Sequence, residues 1–320
     1  MGLKSTYFKL RETLFLNKIS HAVPGMVKPF VLCYHQIDSK EFDEQITALK
    51  KRFEVVDLET FANRLAKKQK GAYCALTLDD CLKEDVEKAA EVCRKHNAPI
   101  TLFLPVRFSK NNEALPGTWV QKLLEQRKEF LLNGEKITIT PQNFVEVRNR
   151  LREEFNPVKI KIDEFDKKVR DWFAENNIAE TDIITPNYRV MDYSSVKQLS
   201  TEKIFSFQSH TYNHESLGLC TPQEIEKEFA DSKKELEELT GVKVFSICYP
   251  YGSKEVIGDK IFGFVGDYYT CGFSLVQGVC TKNTDIYFIP RIGMYPGDTL
   301  ASFWGKIYHH LLMAFVKTNK

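Results

Sequence analysis

Short apolar runs alternate with longer amphipathic segments along most of this chain, and this alternation strongly restricts its fold. Strands that alternate with helices predict βα units around a mostly parallel sheet, and this many units favours a barrel. The sequence therefore predicts the α/β class, as a distorted (β/α) barrel. The predicted strands are 30–34, 54–58, 73–78, 100–104, 204–208, 244–249, 268–273 and 287–292, and the predicted helices are 42–52, 60–68, 82–96, 221–239 and 254–264.

One charged region, residues 111–200, interrupts the alternation and carries two helical patterns. We interpret it as a helical insertion within a barrel that spans residues 29–295. Such an insertion either supports substrate specificity or caps the barrel structurally. The barrel is expected to follow an N-terminal amphipathic helical segment, 1–28, and to precede a C-terminal helical tail, 296–320.

The cysteines and the net charge indicate which cell compartment and which kinds of partner to expect. The eight cysteines show no paired spacing such as CxxC, which favours reduced thiols over a disulfide or structural zinc framework. The net charge of +2 gives no basic footprint for nucleic acid. We find no secretory signal, and we expect a cytoplasmic protein. Basic and apolar residues interleave in segment 1–28, which is compatible with membrane association through weak surface contact.

Two acidic residues follow one strand, and two histidines follow another. The stretch LTLDDC ends a buried run with Asp79 and Asp80, and a helix N-cap explains only one of them. His210 and His214 stand four apart, directly after another predicted strand. In a barrel, the carboxyl ends of the strands share one face. One carboxylate and two imidazoles form a catalytic metal site with an open position, and the second carboxylate can act as general base.

These motifs resemble those of the polysaccharide deacetylases, the NodB homology group of carbohydrate esterases. TLDDC at 77–81 is similar to the family's T-F-D-D-G, HTYNH at 210–214 to its H-[S/T]-x-x-H, and CYPYG at 248–252 to its third motif. The resemblance implies the distorted barrel of that family. It also implies hydrolysis of an N-acetyl group, or of an O-acetyl or N-formyl group, on a sugar.

The resemblance also implies roles for individual residues. Asp79 becomes the general base. Asp80, His210 and His214 become ligands of a divalent metal, for which Zn²⁺ is expected and Co²⁺, Ni²⁺ and Fe²⁺ are alternatives. The backbone N–H near Tyr251 becomes the donor that stabilises the oxyanion.

The chain departs from the family pattern at three points. Cys81 replaces the usual glycine, and Cys248 replaces an arginine that normally orients the base. Arg291, at the end of the last predicted strand, is a candidate substitute; a surface salt bridge is the alternative. The late L-x-H motif that supplies the family's general acid is absent. His309 imitates it in a segment expected beyond the barrel, so the general acid stays open.

Four further residues are candidates for substrate binding. His35 ends the first predicted strand, and Pro250 lies in the third motif. Tyr212 and Trp119 could stack on a sugar ring. Packing within the core is the alternative for the histidine and both aromatic residues.

The function expected from the sequence is that of a metal-dependent sugar deacetylase. A lipid- or nucleotide-linked glycan precursor of a cell-surface polysaccharide is the expected substrate. The alternatives are a degenerate barrel that only binds carbohydrate, an amidase acting on a non-sugar amide, and a glycosidase that uses Asp79 and Asp80. A glycosidase would leave the two histidines unexplained.

Overall fold

The structure, a computed structural model, describes residues 27–318. The predicted segment 1–28 therefore lies almost wholly outside the described residues, as do the last two residues of the predicted tail. Among the described residues, no helix combines the length and the apolar character that a membrane crossing requires.

Seven parallel strands close into a barrel, which confirms the predicted fold class. Closure occurs at β1, which pairs with both β10 and β3, while the short β2 pairs with β3 outside the ring. The strands are β1 (Phe30–Tyr34), β2 (Glu54–Val55), β3 (Tyr73–Leu78), β4 (Ile100–Leu104), β5 (Glu129–Leu132), β6 (Glu135–Thr138), β7 (Phe205–Ser209), β8 (Ser246–Cys248), β9 (Cys271–Gln277) and β10 (Ile289–Gly293). Strands β1, β3 and β4 are buried at every position, because one face lines the barrel and helices cover the other.

Helices surround the barrel and fill the connection between β4 and β7. They are α1 (Ser39–Lys50), α2 (Leu58–Ala66), α3 (Lys83–His96), α4 (Val106–Asn111), α5 (Pro116–Gln126), α6 (Phe144–Glu154), α7 (Ile162–Glu175), α8 (Glu180–Ile183), α9 (Tyr193–Leu199), α10 (Pro222–Thr240), α11 (Lys254–Ile257), α12 (Val265–Tyr268) and α13 (Leu300–Thr318). Helix α10 begins at a capping box in which Thr221 and Glu224 satisfy each other's backbone N–H groups.

The barrel interior is polar at the carboxyl ends of the strands and apolar beneath that layer. Phe103 and Phe273 meet across it with ring centroids 5.6 Å apart. Because side chains alternate along a strand, residues two positions further along point the same way. Thr77 and Asp79 share the inner face of β3, and Arg291 reaches both of them from β10. A charged layer therefore lies on an aromatic plug at the carboxyl ends of the strands.

Several predicted elements differ in extent from those observed; the predicted strand 268–273, for example, is β9 at Cys271–Gln277, preceded by α12. Two further differences have a clear local cause. The predicted helix 254–264 is interrupted, because Gly258 adopts a φ of +72° between α11 and a 3₁₀ turn, Asp259–Gly263. The predicted strand 54–58 stops at Val55, because Asp57 caps α2 through the N–H of Thr60.

Between β4 and β7 the predicted helical patterns form α6 and α7, together with a hairpin that the pattern analysis missed. Strands β5 and β6 pair antiparallel around Asn133 and Gly134, both with positive φ. An Asn-Gly pair between short runs is a strong hairpin signal. The aromatic core of this region consists of Trp119, Phe130, Phe155, Trp172 and Phe173.

Candidate metal site and base

The two sequence motifs meet at the carboxyl ends of neighbouring parts of the barrel. Asp80 follows β3 and His210 follows β7, with β4 between them. Oδ1 of Asp80 lies 3.4 Å from Nε2 of His210 and 3.2 Å from Nε2 of His214. The fold therefore brings the Asp80 carboxylate next to two imidazoles that follow it by 130 positions or more in the sequence. The alternation of strands and helices makes this possible, because the carboxyl ends of the strands meet at one end of the barrel.

The spacing of these three donors fits a divalent ion. A tetrahedral zinc ion, with bonds of about 2.0–2.2 Å to nitrogen and oxygen, keeps its donors about 3.4 Å apart. Both histidines are nearly fully buried, whereas the Asp80 side chain is 24% exposed. The three candidate ligands leave one side open toward solvent, an arrangement typical of a catalytic rather than a structural metal site.

The far side of each imidazole is held in place. Nδ1 of His210 lies 2.8 Å from the Cys248 carbonyl oxygen, which only accepts, so Nδ1 carries the hydrogen and Nε2 faces Asp80. Nδ1 of His214 lies 3.3 Å from the Tyr251 hydroxyl. Such partners fix the tautomer and the ring orientation of metal-binding histidines.

The charges at this site favour a cation. Burial would lower the pKa of His210, but the neighbouring Asp80 outweighs it and raises that pKa. At His214, burial prevails and lowers the pKa. The Asp80 carboxylate thus favours a positive charge beside the two imidazoles, which a bound divalent ion would supply.

Backbone strain concentrates around the same residues. Within residues 27–318, ten non-glycine residues have positive φ, and five of them lie in the three motifs: Asp80, Cys81, Thr211, His214 and Tyr251. Of the other five, four are asparagines, which tolerate this conformation. Strained backbone costs about 1–3 kcal/mol per residue and clusters at functional sites. The φ of +51° at Cys81 explains why a glycine, which adopts positive φ without strain, would suit that position.

Asp79 is buried and held by Arg291. The guanidinium forms two parallel hydrogen bonds with the carboxylate, Nη1 to Oδ1 at 2.8 Å and Nη2 to Oδ2 at 2.6 Å. Burial by itself would raise the pKa of Asp79, but the positive charge of Arg291 outweighs it and holds that pKa well below its ordinary value. Asp79 is therefore an ionised acceptor beside the candidate metal site.

Thiols and one histidine complete the surroundings of Asp79. Sγ of Cys248 lies 3.3 Å and Sγ of Cys33 lies 3.6 Å from Oδ2 of Asp79. Nε2 of His35 lies 3.7 Å from the same oxygen, and the His35 side chain is 35% exposed. Cys81 instead points away from Asp79, with its sulfur 3.2 Å from the Phe103 carbonyl.

Two glutamates support the histidine loop, and sequence reasoning missed both. The Glu228 carboxylate accepts hydrogen bonds from the backbone N–H groups of Tyr212 and Asn213. Glu215 accepts from the N–H of Ile162 at the start of α7, and burial raises its pKa to about 7. Glu228 occupies a buried position on α10. A carboxylate among the apolar residues of that helix was the sequence signal that could have identified it.

Several residues predicted to bind substrate are buried or bonded to other parts of the protein. Trp119 follows the packing alternative, because it is 3% exposed and packs against Phe173 and Arg170. Tyr212 directs its hydroxyl toward Glu235 on α10. Pro250 is buried beside Tyr251.

His309 is also remote from the barrel mouth. It is exposed on α13, a helix that packs against α1 on the outside of the barrel.

A parallel seven-stranded barrel with an Asp-His-His set and a second, arginine-held aspartate at its carboxyl end defines a barrel hydrolase scaffold with a candidate metal centre. The model of the family Polysaccharide deacetylase matches residues 156–261, a range that includes the histidine and CYPYG motifs. Residues 156–261 thus match a polysaccharide deacetylase domain, which agrees with the family that the motifs resemble.

The chain is also similar to individual named proteins. The chain is 30% identical over 98 residues to YxkH of Bacillus subtilis (strain 168), named a polysaccharide deacetylase; the match covers 31% of this chain and 34% of YxkH, about a third of each. A polysaccharide deacetylase from Bacillus cereus superposes with a TM-score of 0.55 at 18% identity, covering 88% of this chain and 69% of that one. IcaB from Ammonifex degensii gives 0.54 at 16% identity, covering 89% and 97%. At these identities the structures establish the common fold.

Proposed function

We propose that this protein hydrolyses the N-acetyl group of an acetylated sugar, with release of acetate and a free amine. The observation that carries the proposal is the placement of Asp80, His210 and His214 around one point beside the arginine-held Asp79. An N-acetylated glycan or its lipid- or nucleotide-linked precursor is the proposed substrate class. The polysaccharide deacetylase names of the matched proteins support this choice.

We propose Zn²⁺ as the ion, since two imidazoles and one carboxylate form a donor set that zinc favours. A divalent ion in this position would polarise the acyl carbonyl and make a water molecule more acidic. Asp80, His210 and His214 would hold it, and the Cys248 carbonyl and Tyr251 hydroxyl would keep the two imidazoles oriented.

Asp79 is the proposed general base. It is ionised because Arg291 stabilises its negative charge, so it accepts a proton from the attacking water. The same arginine fixes the plane of the carboxylate, which keeps the accepting oxygen aimed at one place. An acid role for Asp79 in a glycosidase mechanism conflicts with this lowered pKa.

Tyr251 is the proposed source of oxyanion stabilisation. Its backbone adopts a φ of +61° directly after β8, and its hydroxyl contacts a metal ligand, His214. No acceptor for the Tyr251 N–H occurs among the backbone contacts of residues 27–318. A free N–H at the edge of the site is suited to a developing negative charge on the acyl oxygen.

His35 is the proposed donor of the proton that the leaving nitrogen requires. Among the described residues, it is the histidine in the mouth of the barrel that neither binds Asp80 nor lies on an outer helix. Its imidazole is partly exposed beside Asp79, within reach of a substrate. An imidazole releases and takes up protons near neutral pH, as the step demands.

The test is acetate release from N-acetylated oligosaccharides, compared with simple acetamides, by the wild type and by Asp79→Asn. We expect turnover of the sugars and a loss of about 10²–10⁴-fold in the variant. Asp231→Asn, a substitution on the exposed face of α10, is the matched control. Turnover of the simple amides alone would favour an amidase. Unchanged activity of Asp79→Asn would refute the assigned base.

A further inference from the structure

A second set of metal-binding side chains lies on the other side of Asp79. Cys33, His35 and Asp79 each offer one donor atom, and these atoms lie within 4.8 Å of one another. Sγ of Cys33 is 3.6 Å from Oδ2 of Asp79 and 3.8 Å from Nδ1 of His35. Nε2 of His35 is 3.7 Å from Oδ2 of Asp79.

These separations are close to those that a thiophilic ion imposes. A tetrahedral zinc ion, with a bond of about 2.3 Å to sulfur and about 2.0–2.1 Å to nitrogen, holds these donors about 3.6 Å apart. Only one imidazole nitrogen can bind, so the His35 ring must turn, and its partial exposure leaves room to do so. We propose that Cys33, His35 and Asp79 form a second site for a thiophilic divalent ion such as Zn²⁺ in excess.

This set is preferred over another that also contains Asp79. Asp79, His210 and Cys248 are also mutually close, but His210 already faces Asp80 through Nε2 and donates from Nδ1 to a carbonyl. Cys248 also accepts a hydrogen bond from Nη2 of Arg291 at 3.0 Å, so the sulfur that an ion would need is already occupied. Cys33 and His35 have no role in the first site, and His35 opens to solvent.

The second ion is expected to bind more weakly than the first. On binding, the Cys33 thiol releases its proton to solvent, and a sulfur–metal bond replaces the S–H bond. The thiolate then offsets one positive charge of the ion, and the ion shares the Asp79 carboxylate with Arg291. Arg291 and an ion at Asp80 remain close by, and their repulsion lowers the affinity.

Occupation of this site would inhibit the reaction, a consequence that rests on the proposed function. The ion would occupy Oδ2 of Asp79, the proposed base, and the imidazole of His35, the proposed proton donor. Excess zinc should therefore inhibit an enzyme that one equivalent of zinc activates.

Titration with Co²⁺ tests the site without any substrate, because a bond between thiolate sulfur and Co²⁺ gives an intense charge-transfer absorption that nitrogen and oxygen ligands do not. The first equivalent should bind without this absorption, and a second should produce it. Cys33→Ala should abolish the absorption and weaken the second equivalent by more than about tenfold. Cys248→Ala should keep it, as should Cys280→Ala, the control for loss of another buried thiol.

Three results would overturn the proposal: binding of a single equivalent, a second equivalent without sulfur absorption, or loss of the absorption in Cys248→Ala with its retention in Cys33→Ala. Circular dichroism confirms that each variant is folded. The acetate assay is independent of this titration, so failure of the second site and failure of the proposed function are distinguishable.

Discussion

Arg291 and Asp79, which stand 212 positions apart, form a fully buried bidentate pair inside the barrel. The arginine also donates from Nε to the Ser274 carbonyl and from Nη1 to the Thr77 hydroxyl. With the hydrogen bond from Nη2 to Sγ of Cys248, five hydrogen bonds fix a guanidinium whose side chain has no exposed surface. A base held in this way keeps both its charge and its direction.

Removing the arginine should destabilise the fold. Arg291→Ala leaves the Asp79 carboxylate buried without its partner, and breaking such a pair costs about 3–5 kcal/mol. Urea unfolding at neutral pH measures the loss in free energy of unfolding. Arg94→Ala breaks a bidentate pair with Glu202 on the surface and should have a much smaller effect. Equal losses in the two variants would contradict the importance of burial.

The stability difference between wild type and Arg291→Ala should depend on pH. In the wild type the pKa of Asp79 is lower in the folded than in the unfolded protein, so its contribution is complete above the unfolded pKa of about 4. That contribution is lost as the pH falls toward the folded pKa. The difference between the two proteins should shrink when unfolding is measured at pH values below about 4. A constant difference across this range would contradict the assignment.

Loss of a proposed ligand should remove the metal. After dialysis against zinc and then against buffer, the wild type should retain about one equivalent, measured by mass spectrometry, since three protein ligands suffice for a catalytic zinc site. His210→Ala should retain almost none. His96→Ala removes an imidazole that pairs with Asp43 on the surface and should leave the metal content unchanged. Metal-free wild type would instead support a degenerate, carbohydrate-binding barrel.

The Tyr251 hydroxyl should contribute to metal affinity. Tyr251→Phe keeps the ring but removes the contact with Nδ1 of His214, and loss of such a partner weakens metal binding by about 10–100-fold. Competition with a chelator measures the change. Tyr193→Phe, which removes a hydroxyl bonded to Glu235, should bind the metal as the wild type does. An unchanged affinity in Tyr251→Phe would show that the hydroxyl does not orient the imidazole.

Local sequence signals predicted the strands accurately where the apolar runs were most distinct. The bounds of β1, β3 and β4 are those predicted, because each is an apolar run that ends in polar or turn-forming residues. The proximity of Asp80 to the two histidines was expected because each motif directly follows a strand, and the carboxyl ends of barrel strands share one face. The pairing of Arg291 with Asp79 was one of two alternatives from sequence, because it depends on how β10 and β3 align across a closed barrel.

Other features depended on contacts that no local pattern encodes. An aromatic residue in a charged loop has the same appearance whether it faces substrate or packs inward, so the sequence left both alternatives open for Trp119. The break at Gly258 was hidden by the helical spacing on both sides of it. Glu228 supports the histidine loop from a helix whose pattern indicated only packing.

The position of Arg291 on the last barrel strand sets an order of assembly during synthesis. All three proposed metal ligands precede residue 215, so they leave the ribosome long before β10. Until β10 pairs with β1 and closes the ring, Asp79 lacks its arginine. A C-terminally shortened chain that ends before β10 would therefore retain the three proposed ligands but lack the arginine that holds the base.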